Sequence, residues 1–309
     1  MPSNVVHNYF AKCVLSKLKP EIVKIIDTNL KAYLVGSQGP DLLFYLRFQG
    51  KPISELGTMI HSSFNALEVF KASGDYVKVN DNLTVFAFLL GQLCHYSLDA
   101  NVHPYIYNRE IDLPKFYNKG GAKYIHVIFE SSLDYLCIRD NLKVNTRLYK
   151  GYKNLNCSPE TRLDIAKYYN KVVAPIFGME FPIDKAEKTI VLMRNFLRIC
   201  DDMMNIRYII IRGIELILRQ PRNASAFIRP RKEHIKEDWM NLERVPFPKY
   251  RYEKILSSAT VEEMIEKALD EAVILINNFY DYVISGKELN EALYYRNYSG
   301  ERKIKGENL

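Results

Sequence analysis

The run LTVFAFLLGQLC, Leu83 to Cys94, passes without a break into HYSLDANVHPY, where His95, Asp99 and His103 stand four residues apart. No other feature restricts the fold as strongly. The run is mostly apolar but falls short of the roughly 20 residues that span a bilayer, so it reads as a buried core helix. Continued as a helix, the segment places positions four apart on one face. His95, Asp99 and His103 then form a row above an apolar stem. Imidazoles and carboxylates are costly to bury without partners. The row is therefore either a metal site or the polar edge of a core helix. Asp99, midway, has two carboxylate oxygens and suits a bridging position. Pro104 is expected to stop or bend the helix.

Helical periodicity runs through nearly all of the chain. In VEEMIEKALDEAVILINNFYDYV, Met264, Ala268, Ala272, Leu275 and Phe279 recur at intervals of three and four, and Thr260 with Glu263 fits a capping box. Ser158-Pro159 reads as an N-cap followed by proline at the first helical position. KTIVLMRNFLRICDDMMNIRYIIIRGIELILRQ reads as one long helix or a broken pair. Further helices are expected near 4–18, 21–34, 58–73, 83–102, 119–140 and 160–176. No run alternates convincingly as a strand. The segment 220–256, rich in Pro, Arg and Lys, is expected to be a long connection packing through Trp239, Phe247 and Tyr250. The fold class is all-α. One multi-helix domain is expected over 1–309, with a metal-site half at about 1–140 and C-terminal helices at about 158–295 packing back on the first.

The chain has 309 residues, 48% apolar and 26% charged, which is ordinary for a globular protein with a real core. Its net charge of +7 favours anionic partners such as phosphates, lipid surfaces or nucleic acid without choosing among them. Two basic clusters, Ile228–His234 and Arg296–Glu307, are expected to be solvated surface and tail. The five cysteines are widely spaced and form no CxxC, so neither a disulfide framework nor a thiolate zinc site is expected. A reducing, cytoplasmic setting fits, and the N-terminus shows no secretory signal.

Five of the six histidines fall within the first 126 residues. HVIFE places His126 and Glu130 one helical turn apart, a common half-site for zinc. GSQGPDLLFY offers Asp41 after a tight Gly39-Pro40 turn at a helix entrance, where an N-cap role competes with a ligand role. MIHSSF offers His61, four residues after Gly57 and beside Ile60 and Phe64. Together with His7 in VVHNYF these make five histidines, two aspartates and a glutamate, enough for two or three ions. Nitrogen and oxygen donors without sulfur suit catalytic zinc, with manganese or iron less favoured.

These motifs, in their order and approximate spacing over residues 4–140, resemble the bacterial zinc-dependent phospholipase C family. Its all-helical fold is shared more distantly with the S1/P1-type single-strand nucleases. The resemblance implies a ligand scheme. One zinc takes Asp41, His61, His95 and Asp99; a second takes His103, His126 and Glu130; a third shares Asp99 with His7. In secreted members an N-terminal tryptophan completes the third site, whereas this chain starts Met1-Pro2. Choline-specific members carry an aromatic after the matching aspartate; here Leu42 follows Asp41, leaving Phe44, Tyr45 and Phe64 as substitutes for a cation–π cage.

The resemblance implies a phosphodiesterase that attacks phosphorus with a metal-bound hydroxide. Asp41 is the candidate for double duty as ligand and proton acceptor. The implied substrate is a phosphodiester or phospholipid, with peripheral membrane contact and no transmembrane segment. A nuclease or nucleotide phosphoesterase on the same scaffold would need a stacking platform for bases. A metal-binding protein without turnover would saturate its ions with protein ligands.

Overall fold

The computed structural model describes residues 4–49, 51–112, 122–220, 224–229 and 237–303. Its α-helices are α1 (Asn4–Leu15), α2 (Pro20–Thr28), α3 (Leu30–Gly36), α4 (Lys51–Ser62), α5 (Ala66–Asn80), α6 (Leu83–Asp112), α7 (Ala122–Leu136), α8 (Pro159–Tyr168), α9 (Ala174–Ile176), α10 (Ile183–Cys200), α11 (Ile206–Ile217) and α12 (Val261–Ser285). A 3-10 segment, Gly39–Gln49, joins α3 to α4. Among the described residues the strands amount to one antiparallel pair, Phe247–Pro248 with Leu256–Ser257, so the chain is all-α as its periodicity predicts. No helix among the described residues is long and apolar enough to cross a membrane.

The apolar stem of α6 forms the axis of the core. From Val85 to Leu90 no side chain reaches solvent. Each large apolar side chain buried there stabilises the fold by about 1.5–3 kcal/mol. α1, α3, α7 and α12 all pack against α6. The α3 crossing depends on two glycines. A Cβ on Gly36 would lie 2.0 Å from the Phe88 carbonyl oxygen, and one on Gly91 would lie 2.1 Å from that of Tyr33. Glycine at both positions lets the two backbones touch. Tyr33 fastens the crossing: its hydroxyl donates to the Ala11 carbonyl at 2.7 Å and lies 3.2 Å from Cys94 Sγ. Cys94 therefore faces away from the row formed by its neighbour His95.

Helix ends follow the local chemistry where caps are strong. Ser158 accepts from the Thr161 backbone, Pro159 opens α8, and Thr260 with Glu263 completes a capping box on α12. The long pattern near 190–219 is a broken pair, α10 and α11, interrupted at 201–205, where Asn205 takes a left-handed conformation. Trp239 and Phe247 are buried against Phe129 and Tyr105, and Tyr250 is half-buried.

Several expectations need correction. The helix expected near 58–73 is two helices, α4 and α5. The end of α4 is held by the C-terminal segment, because Asn297 Nδ2 donates to the Ser62 carbonyl at 3.0 Å and Ser299 Oγ to that of His61 at 3.4 Å. Carbonyls satisfied from outside need no continuing helix. The pattern 21–34 is likewise divided at Asn29. The helix expected over 119–140 runs as α7 from Ala122 and widens into a π-turn at Cys137–Asn141; its residues 119–121 lie outside the described ones. Met1-Pro2, His234 and most of the Ile228–His234 cluster, with the end of the Arg296–Glu307 cluster, also lie outside them.

The largest correction is at Pro104. α6 does not stop there but continues to Asp112. Proline lacks an N–H, so the Ala100 carbonyl one turn earlier loses its helical partner. Arg296 supplies the replacement, with Nη1 donating to Ala100 O and Asn101 Oδ1, each at 3.1 Å. Its other terminal nitrogen donates to Glu271 on α12. Arg296, expected on a solvated surface, is only 2% exposed.

Breaking a buried, hydrogen-bonded ion pair leaves a buried charge without compensation. Arg296→Ala is therefore expected to lower the unfolding free energy by about 3 kcal/mol or more, measured by urea denaturation. Arg296→Lys should recover only part of the loss, because an ammonium lacks the fork that serves Ala100, Asn101 and Glu271 together.

Candidate metal centre

All eight donors singled out in the sequence are buried and lie in one region. His7 comes from α1, Asp41 from the 3-10 segment, His61 from α4, the row His95, Asp99 and His103 from α6, and His126 with Glu130 from α7. They gather into three clusters whose donor atoms lie within 4.8 Å of one another: His7, His95 and Asp99; Asp41, His61 and His95; and His103, His126 and Glu130. Asp99 sits at the centre. Its Oδ1 is 3.4 Å from His7 Nε2, and its Oδ2 is 2.9 Å from His95 Nε2 and 3.7 Å from His61 Nε2. Asp41 Oδ1 lies 3.2 Å from His61 Nε2, and Glu130 Oε1 lies 3.2 Å from His126 Nε2.

Gly39 makes this convergence sterically feasible. It has φ of +53°, and a Cβ there would sit 2.3 Å from the His95 ring. The turn lies directly against the imidazole, and the carboxylate of Asp41 follows two residues later.

Four of the five imidazoles are fixed through Nδ1. His61 Nδ1 donates to the Gly57 carbonyl at 2.6 Å, His95 Nδ1 to that of Ser37 at 3.2 Å, and His103 Nδ1 to that of Tyr298 at 2.8 Å. Carbonyls hold no proton, so the rings must donate and Nε2 keeps the lone pair. His126 Nδ1 donates to the Glu110 carboxylate. A histidine tethered in this way has its tautomer fixed and its basicity raised, the arrangement found around metal ions. His7 differs, since its Nδ1 is buried without a hydrogen bond. Its ring stacks on His95 with centroids 4.3 Å apart.

The electrostatics reflect this crowding. Burial pushes the Asp99 carboxyl up, but the imidazoles of His103, His95 and His7 prevail and hold it well below the usual range. Burial lowers His7 to about 3, helped by the neighbouring His95 and opposed by Asp99. Burial also opposes charge on His126, yet Glu130 and Glu110 raise it to about 10. A cation bound beside His126 would replace that proton.

Three supporting residues escaped sequence reasoning. Glu110 lies seven positions after His103, two turns along the same helical face, a spacing that could have revealed it. Asp134 caps the start of α1: its Oδ1 accepts from the Val5 and Val6 N–H groups, both at 3.0 Å, which sets the register of His7. Burial pushes the Asp134 carboxyl up to about 7. Tyr298 arrives from nearly 200 residues downstream of His103, and no local signal announces it. Of the aromatics considered for a headgroup cage, Tyr45 is buried against Phe196, Phe64 is half-buried, and half-buried Phe44 sets its ring 5.2 Å from that of His61. Leu42 is fully buried.

The donor set fits zinc. Its buried nitrogens and carboxylate oxygens converge, no thiolate takes part, and His95 Nε2 makes no hydrogen bond despite its proximity to Asp99. Such a group of carboxylates and lone pairs is costly to bury without a cation among them. A family model described as zinc dependent phospholipase C matches residues 6–180, which include all eight donors. No curated protein and no solved structure matches the chain.

If Glu110 orients His126, Glu110→Gln and Glu110→Ala should each weaken zinc binding by about 10- to 100-fold. Competition with a chromogenic chelator reads this directly. Without zinc both variants should also melt lower, because His126 loses one of the two carboxylates that raise it, so zinc affinity is the deciding readout. Unaltered zinc affinity in both variants would remove Glu110 from the site.

Proposed function

The chain belongs to the zinc-dependent phospholipase C family, and on that premise we propose that it hydrolyses the phosphodiester bond of a phospholipid. The observation that carries this reading is the set of four imidazoles tethered at Nδ1 around buried carboxylates. Asp41, His61, His95 and Asp99 would hold one zinc, and His103, His126 and Glu130 a second. Asp99 and His7 would contribute to a third. His7 has no tether on Nδ1, so the third ion is the most weakly prepared. Zinc bound there supplies charge neutralisation for the phosphate and lowers the pKa of a water toward neutrality.

The chain's own groups do the rest. The tethered rings present their Nε2 atoms in fixed directions, so little reorganisation accompanies the reaction. Asp41 stands on a turn that Gly39 forces against His95, and its carboxylate is assigned the role of holding the proton released from the attacking water. Phe44, beside His61, offers an apolar edge next to that carboxylate.

Assay of the purified protein against a choline-phosphate ester, an aryl phosphodiester, phospholipid vesicles and single-stranded DNA tests this reading. Turnover of the diesters and vesicles should disappear on chelation and return with zinc. Asp41→Asn should keep most of the zinc and lose about 100-fold or more in kcat. Full activity in that variant would remove Asp41 from the role, and preference for single-stranded DNA would favour a nuclease.

A further inference from the structure

Helix α11 is built in the opposite sense to an ordinary surface helix. Such helices turn their apolar stripe toward the core and their charges toward water. In α11, Ile206, Ile209, Ile210, Ile214, Leu216 and Ile217 are all exposed, Ile217 to 82%. Positions 206, 210, 214 and 217 recur at four, four and three, so they make one continuous outward stripe.

The inward face carries the acid. Glu215, the only carboxylate in the helix, is 7% exposed. Its Oε1 accepts from the Ala224 and Ser225 N–H groups at 2.8 and 3.0 Å, and its Oε2 accepts from the Ser225 hydroxyl at 2.6 Å. Phe227, in the same short turn, packs its ring against Phe196 of α10 at 5.3 Å. That turn also packs on α7, the helix of His126 and Glu130. The helix is thus clasped to the body of the molecule with its apolar stripe turned outward. A contiguous exposed patch of this kind marks an interaction surface.

We propose that α11 is a docking helix for an anionic phospholipid surface, lying flat with its isoleucines among the upper acyl chains. Charge selects this occupant. Arg207 and Arg219 are exposed near the two ends of the helix, and Arg198 is exposed at the end of α10. With Glu215 turned inward, the outward face of α11 is apolar and positive, the combination that binds anionic bilayers. A second copy of the same face would bring arginines together with no acid of that helix to oppose them.

The proposal deepens the reading of a phospholipid substrate, but its test needs no turnover. The full chain, with zinc chelated, is sedimented with vesicles of phosphatidylcholine alone or mixed with phosphatidylglycerol. Binding should favour the mixed vesicles and weaken with added salt. The double variant Ile210→Glu with Ile214→Glu should bind them about tenfold less or worse. Both positions are exposed, so its melting temperature and its hydrolysis of a soluble diester should match those of the parent protein. Failure of the parent protein to bind either vesicle, or equal binding by the double variant, would overturn the proposal. So would a dimer that the double variant dissociates without any vesicle binding, which would give the face to a second copy. Vesicle binding without turnover on any substrate would leave α11 as a docking helix and refute the phospholipase reading instead.

Discussion

Nδ1 of each of four histidines is held by an acceptor, and much of the fold serves to bring those acceptors into place. A ring fixed at one nitrogen offers the other as a directed lone pair. The acceptors come from separate places: Gly57 one turn before His61 in α4, Ser37 after α3, Glu110 far along α6, and Tyr298 in the C-terminal segment. Three helices and two connections must therefore be in register before the cluster exists. The glycine crossing of α3 on α6 delivers Ser37, and the same turn delivers Asp41. His7 lacks such a tether and instead takes its position from Asp134 at the start of α1.

The stem and the site are one mechanical unit. The apolar stretch of α6 is sealed from solvent, so the row His95, Asp99 and His103 cannot rotate without opening the core. Pro104 would be the weak point just beyond that row, because it frees the Ala100 carbonyl. Arg296 repairs the break and ties α6 to Glu271 on α12. The C-terminal segment then acts twice, once through Arg296 on the backbone of α6 and once through the Tyr298 carbonyl on His103. The end of the chain thus completes a site whose donors all lie in its first 130 residues.

Much of this was legible in the sequence wherever the cause is local. Period and caps set α8 and α12, and donors spaced by four set the rows on α6 and α7. The resemblance in order and spacing extended those rows to Asp41, His61 and His7, and the structure gathers all eight donors in one region. What was not legible has a distant cause. The α4–α5 boundary depends on Asn297 and Ser299, and the continuity of α6 depends on Arg296. Both act over roughly 200 residues of sequence, where neither propensity nor periodicity reaches. The outward apolar face of α11 was hidden for another reason. Periodicity shows that a stripe exists but not which way it faces, and here the buried Glu215 reverses the usual sense.

Zinc in the buried cluster is the claim on which the proposed chemistry rests. Crystals of the zinc-loaded protein, measured on both sides of the zinc absorption edge, test it most directly. The account predicts anomalous peaks about 2.0–2.1 Å from His61 and His95 Nε2, beside Asp99, and a second set within His103, His126 and Glu130. Anomalous density absent from both clusters in zinc-loaded crystals would contradict it.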